Sequence, residues 1–296
     1  YLNVKEIFYS KTVKLTKSFV NYSKHSFFSG LLGLSFGYSD KIIAASFLGV
    51  RILGYVGVAQ DVPMRLLNIL DGFSNVLIPR FTDIRDIYKF QDFYINVSWI
   101  SLLVSSLIYF PLIVLAPSII GLWLGEDIAE KSSLIMQLFA LACALKGPNI
   151  VYQAYFKGTN RPEILTKISI VVAVILLLVN YLAISNFGLQ GVSVGFLVSG
   201  WIGLCVVGYV FKIELGKEVR CYFLTHYLLP LVIVAAVGLL FIFALPPIIV
   251  TDWISLFLTG ISIACLVVIV FMFFDLLLLR KECLSLKMLN SIKSNY

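Results

Sequence analysis

The sequence predicts an all-α integral membrane protein with eight transmembrane helices. Of its 296 residues, 60% are hydrophobic and only 13% are charged, and the mean hydropathy is +0.96. Soluble chains are about 45–50% apolar and about 25% charged, so a water-soluble globule and a disordered chain are both excluded. Two further observations support this class: apolar runs of membrane-spanning length recur along the chain, and the basic residues are distributed unevenly between the loops.

A helix needs about 20 apolar residues to cross roughly 30 Å of hydrocarbon. The sequence offers eight such runs, separated by polar or Gly/Pro-containing breaks. The predicted spans are Ser26 to Leu48, Tyr55 to Ile78, Ile95 to Leu115, Leu134 to Phe156, Ile164 to Ile184, Val192 to Phe211, Tyr227 to Leu245 and Trp253 to Leu279.

The basic residues fix the expected orientation. Of the 23 Lys and Arg residues, 18 fall in the terminal segments and alternate loops assigned to one side. The opposite side holds Arg51 and Lys131, and Lys41, Arg65 and Lys146 lie inside predicted spans. Cytoplasmic loops are rich in Lys and Arg, so both termini are expected in the cytoplasm. The net charge of +7 indicates membrane lipids as partners rather than nucleic acid.

The second predicted helix carries charged side chains whose contact with lipid would be energetically unfavourable. Residues spaced by three or four positions share one face of a helix, and five polar or small residues follow that spacing: Asp61, Arg65, Asn68, Gly72 and Asn75. We call these residues the polar stripe of this helix; Asp71 lies beside it. Charged residues within a membrane span usually face protein, a partner charge or a water-filled cavity.

Two other predicted spans repeat this pattern. In the fourth, Lys146, Asn149 and Gln153 share a face, and Gly147-Pro148 is expected to interrupt the helix at mid-depth. The first carries Asp40 and Lys41 near its end. Together these helices predict a polar cavity within a helical bundle.

Structural explanations for the same charges remain open at this point. Asp61 and Arg65 are spaced i,i+4 and can neutralise each other along one helix. Asp40 and Lys41 can pair near the outer headgroups. Lys146 has no acidic residue within two helical turns in the sequence, so local pairing explains it less well.

Motifs for enzymatic chemistry are not found in the sequence. It has two histidines, no nucleotide-binding glycine motif and no Cys/His metal-ligand spacing, and the five cysteines lie mostly in apolar runs. We therefore expect no enzyme activity, no metal and no cofactor.

The segment from Ser39 to Ile84 resembles a repeated signature of bacterial polysaccharide exporters. The resemblance rests on an Asp late in one helix, a glycine-containing turn, and a helix that closes with Pro before an aromatic residue. Those positions are Asp40, Phe47, Leu48, Gly49, Leu53, Gly54, Tyr55, Ala59, Pro79 and Phe81. Similar features follow at Gly158, Asn160, Arg161 and Pro162, and at Gly188, Gly191 and Gly195.

The similarity is to the O-antigen flippase (Wzx-like) branch of the multidrug/oligosaccharidyl-lipid/polysaccharide exporter superfamily. It implies a C-terminal six-helix lobe followed by two extra helices, with the N-terminal lobe of the same chain missing from this sequence. The implied divisions are a basic cytoplasmic or interfacial segment at 1–25, the transporter lobe at 26–211, the extra helix pair at 212–279 and a basic cytoplasmic tail at 280–296.

The resemblance also implies a function. Its members move undecaprenyl-diphosphate-linked oligosaccharides, precursors of O-antigen and lipopolysaccharide, across the bacterial inner membrane by alternating access, commonly coupled to an ion gradient. On this comparison Arg65, Lys146 and Lys41 would bind the diphosphate, and Asp61, Asp40 or Asp71 would take the coupling ion. The remaining polar residues expected in the cavity are Asn68, Asn75, Asn149 and Gln153.

Two alternatives belong to other functional classes. A drug or metabolite antiporter of the same superfamily would favour an acidic, aromatic cavity over one with three cations. A membrane-bound enzyme of cell-envelope glycan assembly would chemically alter a lipid-linked sugar.

Overall fold

The protein is an all-α membrane protein. Its computed structural model describes residues 23–28, 30–31, 38–83, 87–214, 229–243, 248 and 250–293. Nine α-helices lie in residues 38–293 of this described part: α1 Ser39–Leu48, α2 Leu53–Asp83, α3 Ile87–Leu124, α4 Glu126–Lys146, α5 Asn149–Gly158, α6 Pro162–Phe187, α7 Gly191–Glu214, α8 Leu229–Phe243 and α9 Trp253–Lys293. Short 3₁₀ turns join α1 to α2 and α6 to α7.

Within the described residues, four stretches are long and apolar enough to cross a membrane. They are Phe93–Leu124, Glu126–Gly158, Pro162–Val210 and Trp253–Phe273. The third contains both α6 and α7, so these stretches cover five of the eight predicted spans. The second span corresponds to α2, which has 31 residues but carries the predicted charges. The first and seventh spans include residues outside the described part, so the total of eight remains a prediction.

Helix α4 lies at the centre of the bundle. Helices α2, α3, α7 and α8 all pack against it, α5 continues from it, and α6 packs against α7. Helices α6 and α9 lie at the periphery, where they expose large apolar side chains such as Leu178 and Phe257. An apolar outer surface with a tightly packed interior is the arrangement that lipid requires. The basic segment at 1–25 and the tail at 280–296 lie partly outside the described residues, and their cytoplasmic location stays a prediction.

Buried prolines create a problem that this fold solves with side chains. Proline has no N–H, so the carbonyl four residues earlier loses its helical donor, which is costly where water is absent. Because Pro117 has no N–H, the carbonyl oxygen of Ile113 has no helical donor. The side-chain amide of Gln137, on α4, donates to that oxygen at 2.9 Å. Hydrogen bonds from neighbouring helices therefore compensate for such breaks.

The predicted interruption at Gly147-Pro148 is confirmed. These two residues form a turn between α4 and α5. Pro148 removes the donor for the Ala144 carbonyl, which instead accepts a 3.2 Å hydrogen bond from the Ser105 hydroxyl of α3. A side chain at Gly147 would overlap Ser105. Glycine is therefore required for α3 to approach the break closely.

Several residues of the exporter-like motifs pack together where α2 ends. Phe81 contacts the rings of Phe90, Tyr94 and Tyr155, with centroids 5.8–6.0 Å apart. The Thr82 hydroxyl donates to the Gly158 carbonyl at 3.2 Å. This cluster joins α2 to α3 and α5.

Gly158 provides a stability test of this junction. A Cβ at Gly158 would lie 2.8 Å from the Phe81 Cβ and 2.9 Å from the Ile78 carbonyl oxygen. We expect Gly158→Ala to lower the free energy of unfolding by about 1–3 kcal/mol because overpacking forces the helices apart. Gly57→Ala is the matched control, since Gly57 also lies in a helix but has nothing within 4 Å of its virtual Cβ. That variant should be neutral or up to about 1 kcal/mol more stable. Thermal unfolding in detergent measures both, and equal stability of the two variants would contradict this packing.

Candidate functional site

The structure places the predicted polar residues in three separate locations. Asp71, Lys146, Asn149 and Gln153 line one cavity. The polar stripe of the second predicted helix lies on α2, and we call it the α2 polar stripe; it occupies the exposed face of that helix. Asp40 is buried, with 1% of its surface exposed. The single polar cavity expected from the sequence is therefore divided within this chain.

One cavity, which we call the Lys146 cavity, has a volume of about 330 Å³ and lies between α2, the α4–α5 junction, α6 and α7. Its polar lining includes Asp71, Lys146, Asn149, Gln153, Asn180 and Ser199. Asp71 lines it while remaining exposed, so this carboxylate lies at the rim. The cavity therefore adjoins the α2 polar stripe at Asp71.

Among the described residues, Lys146 is the only cation that lines this cavity. Its ammonium nitrogen lies 3.9 Å from the centroid of the Phe196 ring, a cation–π arrangement. The carboxylates of Asp71 and Asp40 interact with it electrostatically, yet in the described part of the chain no carboxylate oxygen forms an ion pair with it. The ammonium group therefore retains the capacity to bind an anion.

Small residues of α7 make room for the amides of this cavity. Gly191, Gly195, Ser199 and Gly203 follow one another at intervals of four and so share one helix face. A Cβ at Gly195 would overlap the Asn180 side chain of α6, and one at Gly203 would overlap Asn149 of α5. Small residues allow close helix approach in membranes, and here they also admit two polar side chains.

A second cavity extends from the first. It has a volume of about 400 Å³ and is lined by Ser26, Gly30 and Lys157, among others. Four residues line both cavities: Tyr152, Gln153, Ile168 and Ser169. Ser26 and Lys157 lie at span ends that the charge pattern assigns to the cytoplasmic side. The two cavities therefore adjoin at these four residues, and the second reaches span ends that are predicted to be cytoplasmic.

The α2 polar stripe faces away from the bundle. All five of its residues are exposed, as are the neighbouring Ile69 and Phe73. Although Asp61 and Arg65 lie one helical turn apart, no ion pair joins them in the described structure. An exposed helix face with two charges is unsuited to lipid, so this face needs water or another polar surface.

Asp40 has a partner that the sequence analysis did not identify. The Gln60 side-chain nitrogen of α2 donates to Asp40 Oδ2 at 3.3 Å, whereas the ammonium nitrogen of Lys41 lies 5.8 Å from the Tyr38 ring centroid. The sequence analysis also missed Asn180 and Phe196 of the Lys146 cavity. These three residues are neutral, so a search for misplaced charges does not reveal them.

These features define an all-α membrane protein with a cavity that contains a cation and several amide side chains. Residues 7–133 match the model of a family described as polysaccharide biosynthesis protein. The matched segment includes Asp40, Asp61, Arg65 and Asp71 and ends before Lys146. No curated protein and no solved structure matches the chain. The match supports a role in polysaccharide assembly or export.

Proposed function

We propose that the protein translocates undecaprenyl-diphosphate-linked oligosaccharides from the cytoplasmic to the outer leaflet of the bacterial inner membrane. The mechanism is alternating access driven by an ion gradient, and the protein catalyses no chemical reaction. A diphosphate and its hydrophilic sugars cannot cross hydrocarbon unaided, whereas a polar cavity can hold them while the polyprenyl chain stays in lipid.

The observation that carries this proposal is the position of Lys146. A cation removed from water is costly unless an anion pairs with it, and in the described structure Lys146, which is partly buried, has a ring, not a carboxylate, as its close partner. A phosphate oxygen entering through the rim would supply that anion. The amides of Asn149, Gln153 and Asn180 are available to hydrogen-bond sugar hydroxyls. The second cavity would provide the entry route from the cytoplasmic leaflet.

The exposed face of α2 supports the second element of the proposal, a facing lobe. Asp71, beside the α2 polar stripe, also lines the Lys146 cavity, so a polar surface packed over the stripe and this rim would complete a central water-filled chamber. That surface is the N-terminal lobe implied by the exporter resemblance. Arg65 and Lys41 would then add cations to the diphosphate site, while Asn68 and Asn75 would contact sugars. Asp61, Asp71 and Asp40 are the candidates for binding the coupling ion.

Two other functions predict different results. A drug or metabolite antiporter would export small cations, and its cavity would be acidic, but the lining of this cavity includes the cation Lys146. A glycan-assembly enzyme would change the mass of the lipid-linked sugar.

Vesicle translocation distinguishes these functions. The full-length protein would be reconstituted with a labelled undecaprenyl-diphosphate oligosaccharide, and a sugar-cleaving enzyme would be added outside. Flipping delivers the protected inner-leaflet lipid to the enzyme, so the cleaved fraction should rise above that of protein-free vesicles. An unchanged fraction under an imposed ion gradient would refute translocation. A new lipid-linked mass before the enzyme is added would establish the enzymatic alternative.

A further inference from the structure

The contact between Asp40 and Gln60 is chemically incomplete. Both side chains are buried, with 1% and 3% of their surfaces exposed. The Gln60 amide nitrogen donates to Asp40 Oδ2, but among the described residues no group forms a hydrogen bond with the buried atoms Asp40 Oδ1 and Gln60 Oε1. Within that part of the chain, this pair therefore has two unsatisfied acceptors and no donor for either.

One proton would satisfy both atoms. A neutral carboxylic acid has an O–H donor as well as acceptor oxygens, and it pairs with a primary amide through two antiparallel hydrogen bonds. The first of these, Gln60 Nε2 to Asp40 Oδ2, is already present. A hydrogen on Asp40 Oδ1 would supply the second by donating to Gln60 Oε1. Leaving both oxygens unpaired in a buried site would be unfavourable.

We propose that Asp40 is a proton-binding site and that Gln60 holds its neutral form. Binding forms one O–H bond between a proton delivered by water and Asp40 Oδ1. Release breaks that bond, returns the proton to water and leaves a carboxylate that requires solvent. Because the site is closed, proton exchange requires α1 and α2 to separate at this contact.

Several charges around the site favour the carboxylate form. Lys41 and Lys146 both interact with Asp40 electrostatically, and the first-turn N–H groups of Asp40 and Lys41 also face the carboxyl group. None of these groups makes a hydrogen bond to Oδ1. On the adjoining elements, Arg51 and Asp61 are exposed. In α6, Glu163 and Lys167 lie within its first six residues, and the described side chains of α7 include no charged group.

A proton fits the site better than a metal ion. Hard cations such as Mg²⁺ and Ca²⁺ take about six to eight oxygen ligands, whereas the described side chains offer two unpaired oxygens here. Those two oxygens lie beside an existing amide–carboxyl hydrogen bond. A single proton on one of them would form a second hydrogen bond to the other, and no further ligand is needed.

A proton site at Asp40 would make the proton the coupling ion of the proposed translocation. This assignment of the coupling ion rests on the proposed function, whereas the proton site does not. Asp40 and Lys146 interact electrostatically, so an anion that neutralises Lys146 removes a charge opposing protonation of Asp40. Linkage is reciprocal: proton binding would favour binding of the anionic lipid. The proton site itself does not depend on the identity of that lipid.

Infrared spectroscopy of the purified chain in lipid nanodiscs tests the proton site. Wild type at neutral pH should show the carbonyl stretch of a protonated carboxyl group, and Asp40→Asn should remove it. Asp83→Asn is the matched control, since Asp83 is exposed, and it should leave the band unchanged. In Gln60→Leu the band should move to higher frequency, because the acid loses its amide partner.

Three results would overturn the proposal. They are a wild-type spectrum without the band, a band that survives Asp40→Asn, or a thermal stability that rises with Na⁺ at constant ionic strength in wild type but not in Asp40→Asn. Asn has the shape of the neutral acid and should fold. If Asp40→Asn nevertheless fails to fold, the Gln60→Leu spectrum decides: a shifted band supports the site, and an unshifted band refutes it. Because these spectra involve no glycan, failure of translocation would leave the site intact.

Discussion

Replacing Lys146 with methionine should abolish export of the lipid-linked glycan at unchanged protein level. Methionine retains the length and apolar contacts of the side chain but removes its charge. Losing a charge-assisted contact to phosphate costs about 2–5 kcal/mol, which corresponds to at least roughly 30-fold weaker binding. Removing a cation from a membrane span eases insertion by about 2.5–3.5 kcal/mol, so a failure of insertion is not expected. Surface glycan in a flippase-null strain expressing the full-length protein gives the measurement.

Two further variants define the role of Lys146. Lys146→Arg should retain part of the activity because it keeps the charge but changes the donor geometry. Lys131→Ala is the matched control, since Lys131 also lies over an aromatic ring, 5.3 Å from the centroid of Tyr55, but is exposed and outside the cavity. It should export normally. Wild-type export by Lys146→Met would show that Lys146 only fills space against Phe196.

The sequence predicts the helices well because bilayer thickness imposes a length on every span. The turn at Gly147-Pro148 was predictable for a similarly local reason, since proline removes a backbone donor wherever it occurs. The side chains that donate to the freed carbonyls were not predictable. They are Gln137 and Ser105, which lie on neighbouring helices, and only tertiary packing determines which helices are neighbours.

The arrangement of the site followed less directly from the sequence. Helical spacing predicted that Asp61 and Arg65 share a face, and they do. It could not show that this face is exposed while Lys146 lines a cavity between α2, the α4–α5 junction, α6 and α7, because periodicity orients residues only about their own helix axis. Gln60 was missed for the same reason. It is unremarkable until α1 places a buried carboxyl group beside it.

Replacing Arg65 with alanine should also abolish glycan export, although Arg65 lies outside the Lys146 cavity. Its exposed position on the α2 polar stripe would face the central chamber of the complete transporter, where a guanidinium group can bind phosphate oxygens in a bidentate manner. Arg65→Lys should recover only part of the export, because one ammonium group cannot make the same paired contacts. The same surface-glycan measurement applies, at matched protein level.

The decisive comparison for Arg65 is the double variant with Asp61. If Arg65 only neutralises Asp61, the single variant leaves an unpaired carboxylate in the membrane, and Asp61→Ala combined with Arg65→Ala should restore export. The structure favours the opposite result, because these two residues form no ion pair in the described part of the chain. We therefore expect the double variant to remain inactive. Arg51→Ala, which removes an exposed arginine from the 3₁₀ turn before α2, should export normally. A wild-type level of surface glycan from the double variant would show that Arg65 is only a structural counterion of Asp61. Lys146 would then be the cation that binds the diphosphate.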